Sequence, residues 1–351
     1  MIHFVYAVPP PRVGRAATAF KLYRRLADVG VSLPYWYRYG WLPGIPKPLP
    51  APGSITAHLS TYLRQYQPLR LYNLDEVGQI ECSVDDIILG HPHPDTNTII
   101  QRTFASAARC RMKALIFPMH HAMPAINQFA LPLIEKADKV IGIMGPYWKD
   151  TLDQSLFAPW KDKIMSLDMA VDGTEYPYVK KRFNPPGRRG YLYIGSSSDR
   201  PEKGCDVLGK TMAYLQDVPK GWIGSGPDIP SMKRIATYAS LTPEFVASLA
   251  EEYDFFVNMS LSDANPTTIL EAMAWGFPVA CTPESGYYKI PMVTTLSTTD
   301  LEKNAKLLLE LQYAPEDRLR QLSFEGRCLV ERQYSWDRFC STVWRELKPY
   351  V

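Results

Sequence analysis

At 351 residues the chain is longer than one hydrophobic core usually grows, and about 150 residues per domain gives two domains. Hydrophobic residues make up 46% and charged residues 21%, the composition of an ordinary globular protein, which excludes a disordered or fibrous one. The net charge of +3 is small but unevenly placed. Residues 1–74 hold nine basic side chains (Arg12, Arg15, Lys21, Arg24, Arg25, Arg38, Lys47, Arg64, Arg70) against one acid, Asp28, and such a segment favours an anionic neighbour.

The first residues lack the basic start, long apolar run and small-residue cleavage site of a secretory signal, and no 18 apolar residues run together. The expected location is the cytoplasm, with peripheral contact at the inner membrane surface as an option. The six cysteines include no C-x-x-C pair and are read as free thiols rather than a zinc site or disulfide framework.

In chain order, residues 2–8 read as a buried strand, followed by a turn at Gly14 and a dense aromatic cluster containing Tyr35, Trp36, Tyr37, Tyr39 and Trp41, with Arg38 among them. Residues 86–89, 113–117 and 139–143 read as further buried parallel strands separated by helix-length segments, the alternation of an α/β protein. Residues 176–189 are Pro-rich and basic, unsuited to a helix interior or a central strand, and are taken as a linker. The pattern then restarts with strands at 190–194, 221–223, 255–259 and 278–281, and helices from about Lys203, Thr242 and Pro266. Thr242 is expected to cap the second of these helices and Asn265 the third, with Pro243 and Pro266 in their first turns and Gly276 just past the end of the third.

Two segments carry chemistry. In the first, Asp263 ends a strand, a helix begins at once, and Glu271 follows eight residues later. The free N–H groups of Thr267 and Thr268 suit a phosphate at the carboxyl edge of a parallel sheet, and a carboxylate one turn in can accept hydrogen bonds from two ribose hydroxyls. By spacing alone a solvated first turn with an exposed Glu fits as well. In the second, the strand ending at Gly195 runs through Arg200 to Lys203 and Gly204. A lone G-x-G at Gly224 and Gly226, without the longer glycine pattern, argues against a dinucleotide cofactor.

Together these residues resemble the large retaining nucleotide-sugar family of the glycosyltransferase-B superfamily, which includes glycogen and sucrose synthases and bacterial mannosyl- and glucosyltransferases. Its E-x7-E-A-M-A-x-G-x-P-V hallmark appears here as D-x7-E-A-M-A-W-G-F-P-V from Asp263, and Gly286 matches a later glycine. The resemblance implies that Asp263 contacts the transferred sugar, Glu271 the ribose, and Lys203, with Arg200 in place of an Arg missing at Ser196, the diphosphate. It implies a base pocket around Ser240 and Leu241, a sugar-facing histidine at His120 rather than His121, and donor contact at Gly14 and Gly195.

The fold expected is α/β, with two doubly wound Rossmann-like domains facing a cleft: residues 1–175 for the acceptor, a linker at 176–189, residues 190–334 for the nucleotide sugar, and a helix at 335–351 crossing back. The expected activity is metal-independent, retaining transfer of a hexose from a UDP- or GDP-linked donor to a glycan or lipid-linked acceptor, as in polysaccharide biosynthesis. No cofactor is expected, and no D-x-D triplet occurs. Arg24, Arg25, Trp36 and Arg38 are the candidate acceptor contacts, and nucleic acid is disfavoured. The alternatives are a sugar-nucleotide epimerase on the same fold and an inactive sugar-nucleotide-binding protein.

Overall fold

The computed structural model describes residues 1–5, 55–72, 80–92, 97–106, 109–123, 127–197, 200–237 and 241–351. Two compact units result: residues 1–117, 129–141 and 340–351 form the first, and residues 118–128 and 142–339 the second. The units interleave along the chain, whereas the sequence reading drew its boundary at residues 176–189.

The first sheet has six strands: β1 (Ile2–Val5), β2 (Leu69–Tyr72), β3 (Ile87–Gly90), β4 (Met112–Pro118), β5 (Lys139–Ile143) and β6 (Ile164–Leu167), in the order β2-β1-β3-β4-β5-β6. Strand β1 pairs in parallel with β2 and β3, Ile2 lying opposite Leu69 and Ile87. Every residue of β1 and β3 is buried, the condition of strands covered on both faces. Helices α1 (Ile55–Leu63), α2 (Asn97–Ser106), α3 (Leu131–Lys136) and α4 (Pro146–Asp150) fall between these strands in sequence.

The second sheet is built from β7 (Tyr191–Ile194), β8 (Lys220–Ile223), β9 (Lys233–Ala236), β10 (Phe255–Asn258), β11 (Val279–Cys281) and β12 (Val293–Thr295), in the order β12-β11-β10-β7-β8-β9, all parallel. Its apolar runs feed two cores by the alternation of a strand. Leu192, Ile194, Ile223 and Phe256 face one core, and Tyr191, Tyr193, Trp222, Phe255 and Val257 face the other. Helices α5 (Cys205–Ala213), α6 (Pro243–Glu252), α7 (Thr267–Trp275), α8 (Leu301–Tyr313) and α9 (Glu316–Gln333) supply the covering layers, and α10 (Trp336–Leu347) follows. Among the described residues no helix is long and apolar enough to cross a membrane.

Thr242 caps α6 as expected, its side chain accepting from the Phe245 amide. Two helix starts differ from the sequence reading. Residues Pro201–Lys203 form a 3-10 turn, so α5 begins at Cys205 with Gly204 as its cap. Helix α7 begins at Thr267 with Pro266 in the cap position. Asn265 does not cap it, because its side-chain oxygen instead accepts from the Met169 amide at 2.6 Å. Gly276 ends α7 in the left-handed region at φ 95°, as expected.

Candidate active site

The strand order of the second sheet reverses between β7 and β10: successive strands run outward from β7 on one side and from β10 on the other. In open α/β sheets ligands bind beyond the carboxyl ends of the strands at such a reversal. The two loops that leave there are the two chemical segments of the sequence. From β7 the chain passes Gly195 to Lys203, and from β10 it passes Ser260 to Asp263.

Backbone contacts fasten these loops together. The Glu202 carbonyl accepts from the amides of Leu261 at 2.8 Å and Ser262 at 3.2 Å. Gly204 has φ 64°, and a Cβ there would lie 1.8 Å from the Met259 carbonyl oxygen, so no other residue fits this crossing. With the loops so fixed, the Lys203 ammonium donates to the Asp263 carboxylate, both side chains being mostly buried. An ion pair at this depth is screened less than a surface one.

Asp263 is held on its backbone as well. Its amide donates to the Glu284 carbonyl at 2.9 Å, and its carbonyl accepts from the Trp148 indole at 2.7 Å. The next carbonyl, of Ala264, accepts from Gly145 at 3.1 Å. Gly286, at φ 90°, packs so closely that a Cβ would come within 2.4 Å of that same oxygen. The acid therefore sits on a loop with little freedom directly before α7. The first-turn amides of Thr267 and Thr268 have no acceptor inside the helix, and both residues are half-buried. The Asn265 side-chain nitrogen is buried without a hydrogen-bond partner among the described residues, so a donor in need of an acceptor lies at the same helix start. Glu271, one turn in, accepts from the Tyr176 hydroxyl at 3.4 Å.

His120 joins this cluster. Its Nδ1 lies 2.6 Å from the Ser262 hydroxyl, and its carbonyl accepts from the Asn127 side chain at 2.8 Å. Burial lowers its pKa to about 4, outweighing the upward pull of Asp263, so the ring is neutral at pH 7. His121 faces elsewhere, bonding Thr151 at 3.0 Å and resting edge-on against Trp148. All these residues belong to the second unit.

Lys203, Asp263, His120 and the start of α7 are thus brought together. Arg200 is not among them: its side chain is exposed and paired with Glu202 at 2.7 Å. Gly195 follows β7 directly, its amide donating to the Ile223 carbonyl, and Leu241 packs against the core. Gly14, Arg24, Arg25, Trp36, Arg38 and Ser240 lie outside the described residues. The sequence reading missed Trp148, Ser262 and Glu284. Trp148 carried one signal, since Gly145 and Pro146 mark a helix starting at the end of β5.

The fold is that of the glycosyltransferase-B superfamily. Residues 188–310, the part holding Lys203, Asp263 and Glu271, match the family described as glycosyl transferases group 1. No curated protein matches the chain by sequence. Among solved structures, a sucrose-phosphate synthase from Thermosynechococcus elongatus is 15% identical, with a TM-score of 0.62 and all of both chains covered. A UDP-forming α,α-trehalose-phosphate synthase from Burkholderia xenovorans is 10% identical, with a TM-score of 0.62 and 99% of each chain covered. TarM is 14% identical with a TM-score of 0.57, the match covering 79% of this chain and 57% of TarM. The match likewise covers 59% of the chain in a GtfA/B complex, so the chain spans less than two thirds of either.

Proposed function

We propose that the protein transfers a hexose from a nucleoside diphosphate sugar to a glycan or lipid-linked acceptor, with retention of anomeric configuration and without a metal ion. The observation that carries this reading is the convergence of one cation, one carboxylate, one neutral histidine and one open helix N-terminus at the reversal point of the second sheet. A departing diphosphate needs positive charge that is already oriented. Lys203 and the amides of Thr267 and Thr268 supply it, and Glu271 takes the ribose. Asp263 and His120 hold the sugar by its hydroxyls. No side chain in this cluster is assigned as a covalent nucleophile, which fits attack by the acceptor on the face the diphosphate leaves.

The Lys203–Asp263 pair has a consequence for binding. An incoming diphosphate competes with Asp263 for the ammonium, and the carboxylate then accepts from a sugar hydroxyl. Donor and sugar contacts are therefore coupled through one exchange of partners. The UDP-forming relative makes uridine diphosphate sugars the first donors to try, with GDP and ADP sugars beside them. Thermal-shift screening of the full chain against the three diphosphates and their sugars tests the reading. Stabilisation by one diphosphate well beyond its nucleoside supports it, and no response to any of them contradicts it.

A further inference from the structure

Ser262 and His120 share one short hydrogen bond. The serine is 1% exposed, and its hydroxyl makes a single hydrogen bond among the described residues, to Nδ1 of His120 at 2.6 Å. A buried hydroxyl whose proton is not donated is rare and costly, and a hydroxyl rotates to reach whatever acceptor is near. Here that acceptor is Nδ1. If Nδ1 carried a proton, two donors would face each other unless the serine proton turned away to a place with no partner. The arrangement that leaves neither donor without an acceptor has Nδ1 bare.

The ring has one proton to place. Desolvation keeps it neutral, with Asp263 and Glu202 favouring the charged form and Lys203 and His121 opposing it. The ring is also set in place by its own backbone, through the Asn127 side chain on the His120 carbonyl. Trp148, 6.0 Å away between centroids, stands beside it. The remaining nitrogen, Nε2, makes no hydrogen bond among the described residues.

We infer that Ser262 is a positioning residue that donates to Nδ1 and holds His120 in the neutral form with its proton on Nε2, so that His120 meets the substrate as a hydrogen-bond donor and not as a base. Its catalytic meaning rests on the sugar-facing reading of His120, but the proton assignment does not. A donor at Nε2 suits a sugar hydroxyl oxygen or ring oxygen. It cannot take a proton from an acceptor hydroxyl, so that proton must leave by another route, such as the departing phosphate oxygen of the donor.

The test is long-range proton–nitrogen NMR of the full chain with labelled histidine at pH 7, the His120 signals being identified by their loss in His120→Gln. Nε2 is expected to be the protonated nitrogen in the native protein, and Ser262→Thr, which keeps the hydroxyl, to preserve it. Ser262→Ala is expected to shift the ring toward a mixture of the two forms. Turnover of Ser262→Ala should fall about three- to tenfold, the loss of one hydrogen bond, with the donor KM nearly unchanged. A native ring protonated on Nδ1, or a Ser262→Ala ring identical to the native one, overturns the inference. The spectra need no activity, so a protein that shows this tautomer but binds no nucleotide sinks the transferase reading and leaves the role of Ser262 standing.

Discussion

In the proposed function Lys203 has two partners, since the ammonium that balances Asp263 in the structure is also the group offered to a diphosphate. Lys203→Ala is expected to weaken nucleoside diphosphate binding by about 10- to 100-fold, the loss of a charge-assisted contact, while nucleoside binding changes little; calorimetry of both ligands checks this. His120 gives a second expectation, on stability. Its pKa falls from 6.5 to about 4 on folding, so between those values the unfolded chain binds a proton that the folded ring refuses. Its contribution is whole above pH 6.5 and is lost as the pH falls toward 4. His120→Gln should flatten that part of the curve of urea stability against pH, and an unchanged slope would mean the ring titrates normally. The placement of Asp263, Lys203 and Glu271 was legible because their spacing falls on a strand end and a helix start. Ser262, Trp148 and Glu284 were not, since their importance lies in backbone and ring contacts across gaps of 21 to 142 residues, which no local pattern reports.

At the scale of elements, the crossing of Gly204 with the end of β10 decides whether the two loops meet. Gly204→Ala places a methyl group on the Met259 carbonyl and forces a left-handed backbone on alanine. A loss on the order of 2 kcal/mol or more is expected in denaturant unfolding, with nucleotide affinity falling too. A variant as stable as the native chain would show that the loop has room. Among the described residues, each of the eight strands read from sequence lies in a sheet interior, and the four not read, β2, β6, β9 and β12, are the four sheet edges. The reason is physical: an interior parallel strand is covered on both faces and reads as an apolar run. Edge strands such as Lys233–Ala236 and Val293–Thr295 are partly exposed and carry charged or hydroxyl side chains. The helix starts read at Lys203, Thr242 and Pro266 lie within one or two residues of those observed, and the difference at α7 came from Asn265 finding a tertiary partner in the Met169 amide.

For the whole molecule, the excess of basic residues in 1–74 bears on the acceptor, although most of that segment lies outside the described residues. If it receives an anionic glycan or lipid-linked acceptor, reversing Arg24 and Arg25 to Glu lowers transfer, steepens its loss with salt and leaves donor hydrolysis nearly unchanged. Full transfer by the reversed variant at low and high salt would leave the segment without that role.

In the proposed function the cluster of Lys203, Asp263 and His120 holds a nucleoside diphosphate sugar and releases its sugar with retained configuration. Proton NMR of the full chain incubated with the nucleotide sugar that stabilises it measures this directly, by following the anomeric signal of the first sugar product before it mutarotates. An α-linked donor is expected to give an α product, and Asp263→Asn to slow its appearance far more than it weakens diphosphate binding. A β product, or a sugar that stays on its nucleotide and changes only its ring stereochemistry, would contradict it.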